Sequence, residues 1–204
     1  MDGMSRWEPD ARGRLLRAAI ELFSKNGYDE TTAAQIAAHA GLTKTTLFRH
    51  FADKREILFQ GQDVLIAGAV AGVVGAPAGA SPTELVRAGI ASLCAAHADD
   101  LRDMGRLLDP LLAATPELRE RATFKRSAIT AALEEALASR LGDARQAGLL
   151  ADLGVRAYYE GYAAWMLGND VDGLIHSVNE ELAAYEAALH CLDDPRPTRM
   201  PRSR

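Results

Sequence analysis

Cysteine is scarce in this chain: Cys94 and Cys191 are its only two among 204 residues. They lie far apart and share no metal-ligand spacing, which excludes a disulfide framework and a cysteine-built metal centre. Two lone cysteines without a recognisable signal peptide are expected to be reduced thiols in a cytosolic protein. Runs of β-branched residues are also few against abundant alanine, which favours an all-α protein. No apolar run reaches the roughly 18 residues needed to span a bilayer. Residues 65–80 come nearest, but five of them are glycine or proline. Catalytic signatures are missing too: there is no glycine-rich phosphate loop, no GxSxG and no HExxH. An enzyme is therefore not expected, nor a cofactor or a bound metal. His97 with Asp99, Asp100 and Asp103 reads as a helix start with solvated acids, and the pairs Glu134-Glu135 and Glu180-Glu181 as solvated faces.

Excess positive charge is absent as well. The formal net charge of −5 argues at first against a nucleic-acid partner. Its distribution reverses that argument. Residues 1–60 hold nine Lys/Arg against eight Asp/Glu, so the acidic excess lies in the remainder of the chain. Between Lys44 and Arg55 there are four bases and one acid, Asp53.

That basic stretch belongs to residues 31–54, TTAAQIAAHAGLTKTTLFRHFADK. Ile36, Ala37 and Ala40 recur at helical spacing and give a first short helix one apolar face. Thr32 followed three residues later by Gln35 fits a capping box. Gly41 can take the left-handed conformation that ends a helix, and Thr43 then fits the N-cap of a second helix over 44–50. Leu47 and Phe51 face inward from it, whereas Thr45, Phe48 and Arg49 project outward and Lys44 sits at its exposed start. Two short helices joined at a glycine describe a helix-turn-helix, whose second helix enters the major groove. The outward residues suit base edges: a hydroxyl, an aromatic ring for a thymine methyl, and a guanidinium for guanine or phosphate. His50, Lys54 and Arg55 follow at the far end, placed for phosphates.

The run RLLRAAIELFSKNGYDETTAAQIAAHAGLTKTTLFRHFADKREIL, residues 14–58, resembles the N-terminal domain of TetR-family transcriptional regulators. It carries the phenylalanine closing helix 1 before Gly-Tyr, the Thr-Thr start of helix 2, Ile-Ala-x-x-Ala-Gly, and Lys-x-Thr-Leu-Phe-x-His-Phe-x-x-Lys. The resemblance implies DNA-contact roles for Lys44, Thr45, Phe48 and His50, and a backbone-phosphate role for Lys54 at the start of helix 4. With their neighbours Thr32, Gln35, Thr43, Thr46 and Arg49 these make up the expected DNA-binding segment. Ala34 stands where many members carry arginine or lysine, and Phe48 replaces the usual tyrosine. The resemblance further implies about nine helices, a homodimer on a palindromic operator in the bacterial cytosol, and a small-molecule effector.

Three domains are expected: residues 1–55 for DNA, 56–192 for effector and dimer, and 193–204 as a disordered basic tail. Residues 1–9, with Arg6 and Trp7, read as an exposed arm. Asp10 starts helix 1, whose stripe is Leu15, Ala18, Ala19, Leu22 and Phe23, and Gly27 stops it. Helix 4 is expected from about 53 to 74 and is the lever between the domains. Ser81-Pro82-Thr83-Glu84 is a firm helix start, and helix 5 runs to about 97. Helix 6 carries Met104, Leu107, Leu108, Leu111 and Leu112 and is kinked by Pro110. Helix 7 ends at Gly142, and helices 8 and 9 span about 149–167 and 171–192.

Tyr158, Tyr162 and Trp165 share one face of helix 8. Apolar bodies with polar tips suit core, subunit interface or ligand pocket, and the residues alone leave all three open. Cys94, Met104, Leu108 and Phe124 join them as candidates for an apolar effector cavity. By the resemblance, helices 8 and 9 form the dimer interface, with Val171, Leu174, Ile175, Val178, Leu182, Tyr185 and Leu189 as its stripe. The acidic, apolar larger domain favours a neutral or cationic hydrophobic effector. The alternative is a structural or partner-binding DNA protein without an effector.

Overall fold

The computed structural model describes residues 10–96, 101–168 and 173–192. The arm, the basic tail, Val171, and His97 with Asp99 and Asp100 lie outside them. The described residues form nine α-helices and no strand: α1 (Ala11–Asn26), α2 (Ala33–His39), α3 (Lys44–His50), α4 (Gln62–Gly75), α5 (Pro82–Ala95), α6 (Leu101–Ala114), α7 (Pro116–Leu141), α8 (Ala144–Leu167) and α9 (Leu174–Leu192). The all-α expectation holds.

The helix ends follow local chemistry. The Asp10 carboxylate accepts from the Gly13 amide at 2.8 Å and opens α1. Gly27, at φ 87°, closes it. Ser81 and Glu84 form the expected reciprocal box ahead of α5, at 2.7 and 3.3 Å. The Ser81 amide and hydroxyl, each donating to the Glu84 carboxylate at 2.7 Å, hold that carboxyl below the usual carboxylate range. Asp143 caps α8 by accepting from the Gln146 amide at 3.0 Å, so α8 begins before the expected residue 149.

Helix 4 departs most from expectation. The Asp53 side chain accepts from the Glu56 amide at 3.0 Å, and a 3-10 turn follows over Glu56–Phe59. Gly61, at φ 80°, then breaks the chain before α4. By length and composition Glu56–Gly75 is apolar enough to cross a membrane, with 20 residues of mean hydropathy 1.7, contrary to the expectation that no run is. Its continuous part, the 14 residues of α4, rises only about 21 Å, short of the roughly 30 Å of a hydrocarbon core.

The chain divides into two compact units: Met1–Gly68 with Ala96–Ile129, and Ala69–Ala95 with Thr130–Arg204. The first has its core in Leu15, Ala19, Phe23, Ile36, Leu47, Ile57 and Leu118, with Met104, Leu108, Leu111 and Leu112 of α6 packed against it. α7 is tied in through Arg121, which donates to both Glu56 carboxylate oxygens at 2.7 and 2.9 Å and to Gln62 at 2.9 Å.

Lys125, one turn further along α7, is half-buried, and among the described residues it has no carboxylate partner. Burial and the Arg121 guanidinium push its ammonium down from 10.5 to about 8. Between those two values the unfolded chain holds a proton that the folded chain has released, so stability rises with pH across that window. At pH 7 the charged lysine costs about 1–2 kcal/mol, after discounting for the water that a half-buried ammonium keeps. Lys125→Met is expected to melt above the parent at pH 7, with the gap closing towards pH 10.5. Thermal melts across pH check this, and a gap independent of pH refutes it.

In the second unit α8 packs along α9 and against α5, and glycines set the closest approaches. A β-carbon on Gly72 would lie 2.3 Å from the Ala88 carbonyl oxygen, and one on Gly161 would lie 2.6 Å from the Val178 Cα. The glycines that lower the helix propensity of α4 are thus, at Gly72, what lets two backbones touch. Arg140 closes α4 by donating to the carbonyls of Val73 at 2.6 Å, Ala76 at 3.1 Å and Pro77 at 2.7 Å.

Candidate nucleic-acid interface

Helices of seven residues, the length of both α2 and α3, are not stable alone in water. Each therefore depends on its caps and on what it buries. At the head of α2, Thr32 accepts from the Gln35 amide at 3.3 Å, while the Gln35 side-chain oxygen accepts from the Thr32 amide at 2.7 Å. At the head of α3, Thr43 accepts from the Thr46 amide at 3.1 Å, and the two hydroxyls lie 2.9 Å apart. Between them Gly41 adopts φ 67°, a left-handed turn that a β-carbon would strain.

Their C-terminal ends are closed by α1. Arg14 donates to the Ala40 carbonyl at the end of α2. Arg12 donates to the His50 carbonyl at the end of α3, at 3.4 Å, and its guanidinium lies over the Phe51 ring at 5.3 Å. A cation at each C-terminus also answers the negative end of the helix dipole. Sequence reasoning missed both arginines, because they sit on the polar side of α1 and only the fold brings them to those carbonyls.

Burial decides which way α3 faces. Leu47 is 0 % exposed and Phe51 5 %, as expected. Lys44, Thr45, Phe48 and Arg49 on the opposite side are exposed. The Lys44 ammonium lies over the Phe48 ring at 5.6 Å. Thr45 and Arg49 make no polar contact among the described residues. The remaining expected contacts are less free. Thr32, Gln35, Thr43 and Thr46 are engaged in the caps. His50 is half-buried with its Nε2 enclosed and unpartnered. Arg55 faces Asp53 at 3.5 Å and Glu56 at 3.6 Å.

Lys54 lies furthest from what the resemblance implies. Its ammonium donates to the carbonyls of Tyr28 at 2.6 Å, Thr31 at 3.0 Å and Asp29 at 3.5 Å. It also sits 4.1 Å from the centre of the Tyr28 ring. Burial together with Glu117 and Asp53 raises that tyrosine to about 12.

The seven expected cavity residues divide between the two units. Met104, Leu108 and Phe124 belong to the first unit; Cys94, Tyr158, Tyr162 and Trp165 belong to the second. Phe124 is 63 % exposed beneath the Arg121 guanidinium, 5.5 Å away. Tyr158 is core, packed edge-on to Tyr159 at 5.1 Å, and Tyr162 and Trp165 are half-buried. Burial pushes the Cys94 thiol up to about 12, which leaves it unreactive. In the expected dimer stripe, Leu174, Val178 and Leu182 are buried within the chain itself, whereas Ile175 and Leu189 are exposed. Tyr185 is half-buried and donates to Glu160, with Arg156 donating to its hydroxyl at 3.2 Å.

Two capped short helices, a left-handed glycine between them and a second helix turned outward define a helix-turn-helix DNA-binding domain. Residues 15–60 match the model of the bacterial regulatory proteins of the tetR family. Over this segment the chain is similar to the N-terminal domain of tetR-family regulators. It is 37% identical over 73 residues to the HTH-type transcriptional regulator TcmR of Streptomyces glaucescens, covering 36% of this chain and 32% of that protein. It is also 40% identical over 50 residues to the HTH-type transcriptional regulator HbdR of Aromatoleum, covering 24% and 22%. The chain thus spans about a third or less of the length of these curated relatives. Over most of its length it shares the fold of a TetR-like transcriptional regulator from Rhodococcus, at TM-score 0.52 and 20% identity, covering 91% of this chain and 99% of that one.

Proposed function

We propose that this chain is a DNA-binding transcriptional regulator, a repressor that occupies a palindromic operator as a homodimer and is released by a small hydrophobic effector. The observation that carries the reading is the outward face of α3, where Lys44, Thr45, Phe48 and Arg49 stand exposed on a helix anchored from behind by Leu47. Its relatives are named as transcriptional regulators, and no catalysis is assigned to it. Its place of work is the bacterial cytoplasm, where the operator is.

One seven-residue helix reads too few base pairs to select a site in a genome, so two copies on a two-fold axis are required. Exposed Ile175 and Leu189 on α9, with Leu167 on α8 at 75 % exposure, are the residues offered to the partner. A few kcal/mol of differential affinity between two spacings of the reading heads suffices for an effector to empty the operator.

Selection from random duplexes tests this reading. It should return an inverted repeat with half-sites about one helical turn apart, bound by two chains per duplex. A motif without two-fold symmetry, one chain per duplex, or no enrichment would overturn it.

A further inference from the structure

Lys54 joins the entrance of the helix-turn-helix to its exit. Thr31 immediately precedes the cap of α2, and Lys54 lies three residues beyond Phe51, the C-cap of α3. An ammonium has three protons, and within 3.5 Å of this one stand three carbonyls of the loop between α1 and α2: Tyr28 at 2.6 Å, Thr31 at 3.0 Å and Asp29 at 3.5 Å. The loop is rigid where it is grasped. Thr31 is 0 % exposed, and its hydroxyl faces the Gly27 carbonyl at 2.8 Å and the Leu22 carbonyl at 3.2 Å. Tyr28 is 7 % exposed and lays its ring under the ammonium, 4.1 Å from Nζ.

Water access decides between this cage and a phosphate. Leaving it strips a charged donor from the part-buried carbonyls of Tyr28 and Thr31, which water reaches poorly. An exposed lysine–phosphate contact returns little, and less at higher salt. The cage wins. We propose that Lys54 is a positioning residue for DNA reading: it clasps the loop before α2 to the segment after α3, closing the helix-turn-helix into a ring and fixing the angle at which α3 meets the duplex. The proposal rests on the reading of α3 as the recognition helix.

The test compares the full-length parent with Lys54→Met on the selected operator and on a scrambled duplex of equal length, at several salt concentrations. The expected result is operator binding weakened at least tenfold, scrambled binding within twofold of the parent, and parallel lines of log affinity against log salt. Equal losses on both duplexes, with the salt slope reduced by about 0.9 per copy, identify a phosphate ligand instead. Equal losses at unchanged slope identify a folding defect, and an unchanged operator affinity makes the clasp idle. Each of these three overturns the proposal. A parent that binds no duplex overturns the functional reading, and the clasp is then decided by NMR of 15N-labelled lysine. A slowly exchanging Lys54 ammonium with a cross-peak to the Tyr28 ring supports it, and a freely exchanging one refutes it.

Discussion

Lys44→Ala is expected to abolish operator binding while leaving the protein folded and dimeric. The residue is exposed at the first position of α3, beside the Phe48 ring, and no buried contact depends on it. Removing it therefore leaves the melting temperature within about a degree of the parent, as for most surface substitutions. On the proposed homodimer its effect on DNA is counted twice, because two copies would meet two half-sites. At about 1.5 kcal/mol per contact, the pair costs about 3 kcal/mol, more than a hundredfold in Kd. Fluorescence anisotropy on the selected duplex, with sedimentation to establish the dimer, measures both arms. A variant that binds as tightly as the parent shows that α3 is not the reading helix.

Why such a helix is legible in sequence, and much else is not, comes down to distance along the chain. Thr32 with Gln35, Thr43 with Thr46 and Ser81 with Glu84 are partners three residues apart. Their chemistry is complete within one turn, so the sequence displays it whole. The inward face of α3 is legible for the same reason, since Leu47 and Phe51 follow the helical period. Arg12 and Arg14 serve carbonyls 38 and 26 residues away, and Lys54 grasps a loop 23 to 26 residues before it. A basic side chain on a polar face carries no sign of which carbonyl it will meet.

The larger helices show the same limit. The period along α9 picks out Leu174, Val178 and Leu182 as apolar, but it cannot say whether α8 or another subunit covers them. Gly161 answers that question, because its missing side chain lets α8 lie against the Val178 backbone. The sequence offers that glycine only as a weak helix former. Gly61 is the converse case. The helix 4 expected over about 53–74 runs through it without interruption. The Asp53 cap and the left-handed Gly61 divide that stretch into a 3-10 turn and α4.

Leu47→Ala separates reading from folding in the opposite direction to Lys44→Ala. Leu47 is 0 % exposed and is the buried residue of α3, so it anchors a helix too short to persist without tertiary contact. Truncating a fully buried leucine costs about 2–5 kcal/mol through lost transfer energy and the cavity left behind. Against a total stability of about 5–15 kcal/mol this is a large share. At about 3 kcal/mol the melting temperature should fall by roughly 6–12 °C for a chain of this size. Binding should fall on operator and scrambled duplex alike, because a frayed α3 presents neither its base-reading face nor its cations. Amide hydrogen exchange across residues 44–50 should rise well before the second unit loses protection. Retained protection at those amides, with binding still lost, would mean that Leu47 orients a helix which holds itself together. The caps at Thr43 and Arg12, not the core beneath, would then be what keeps α3 formed.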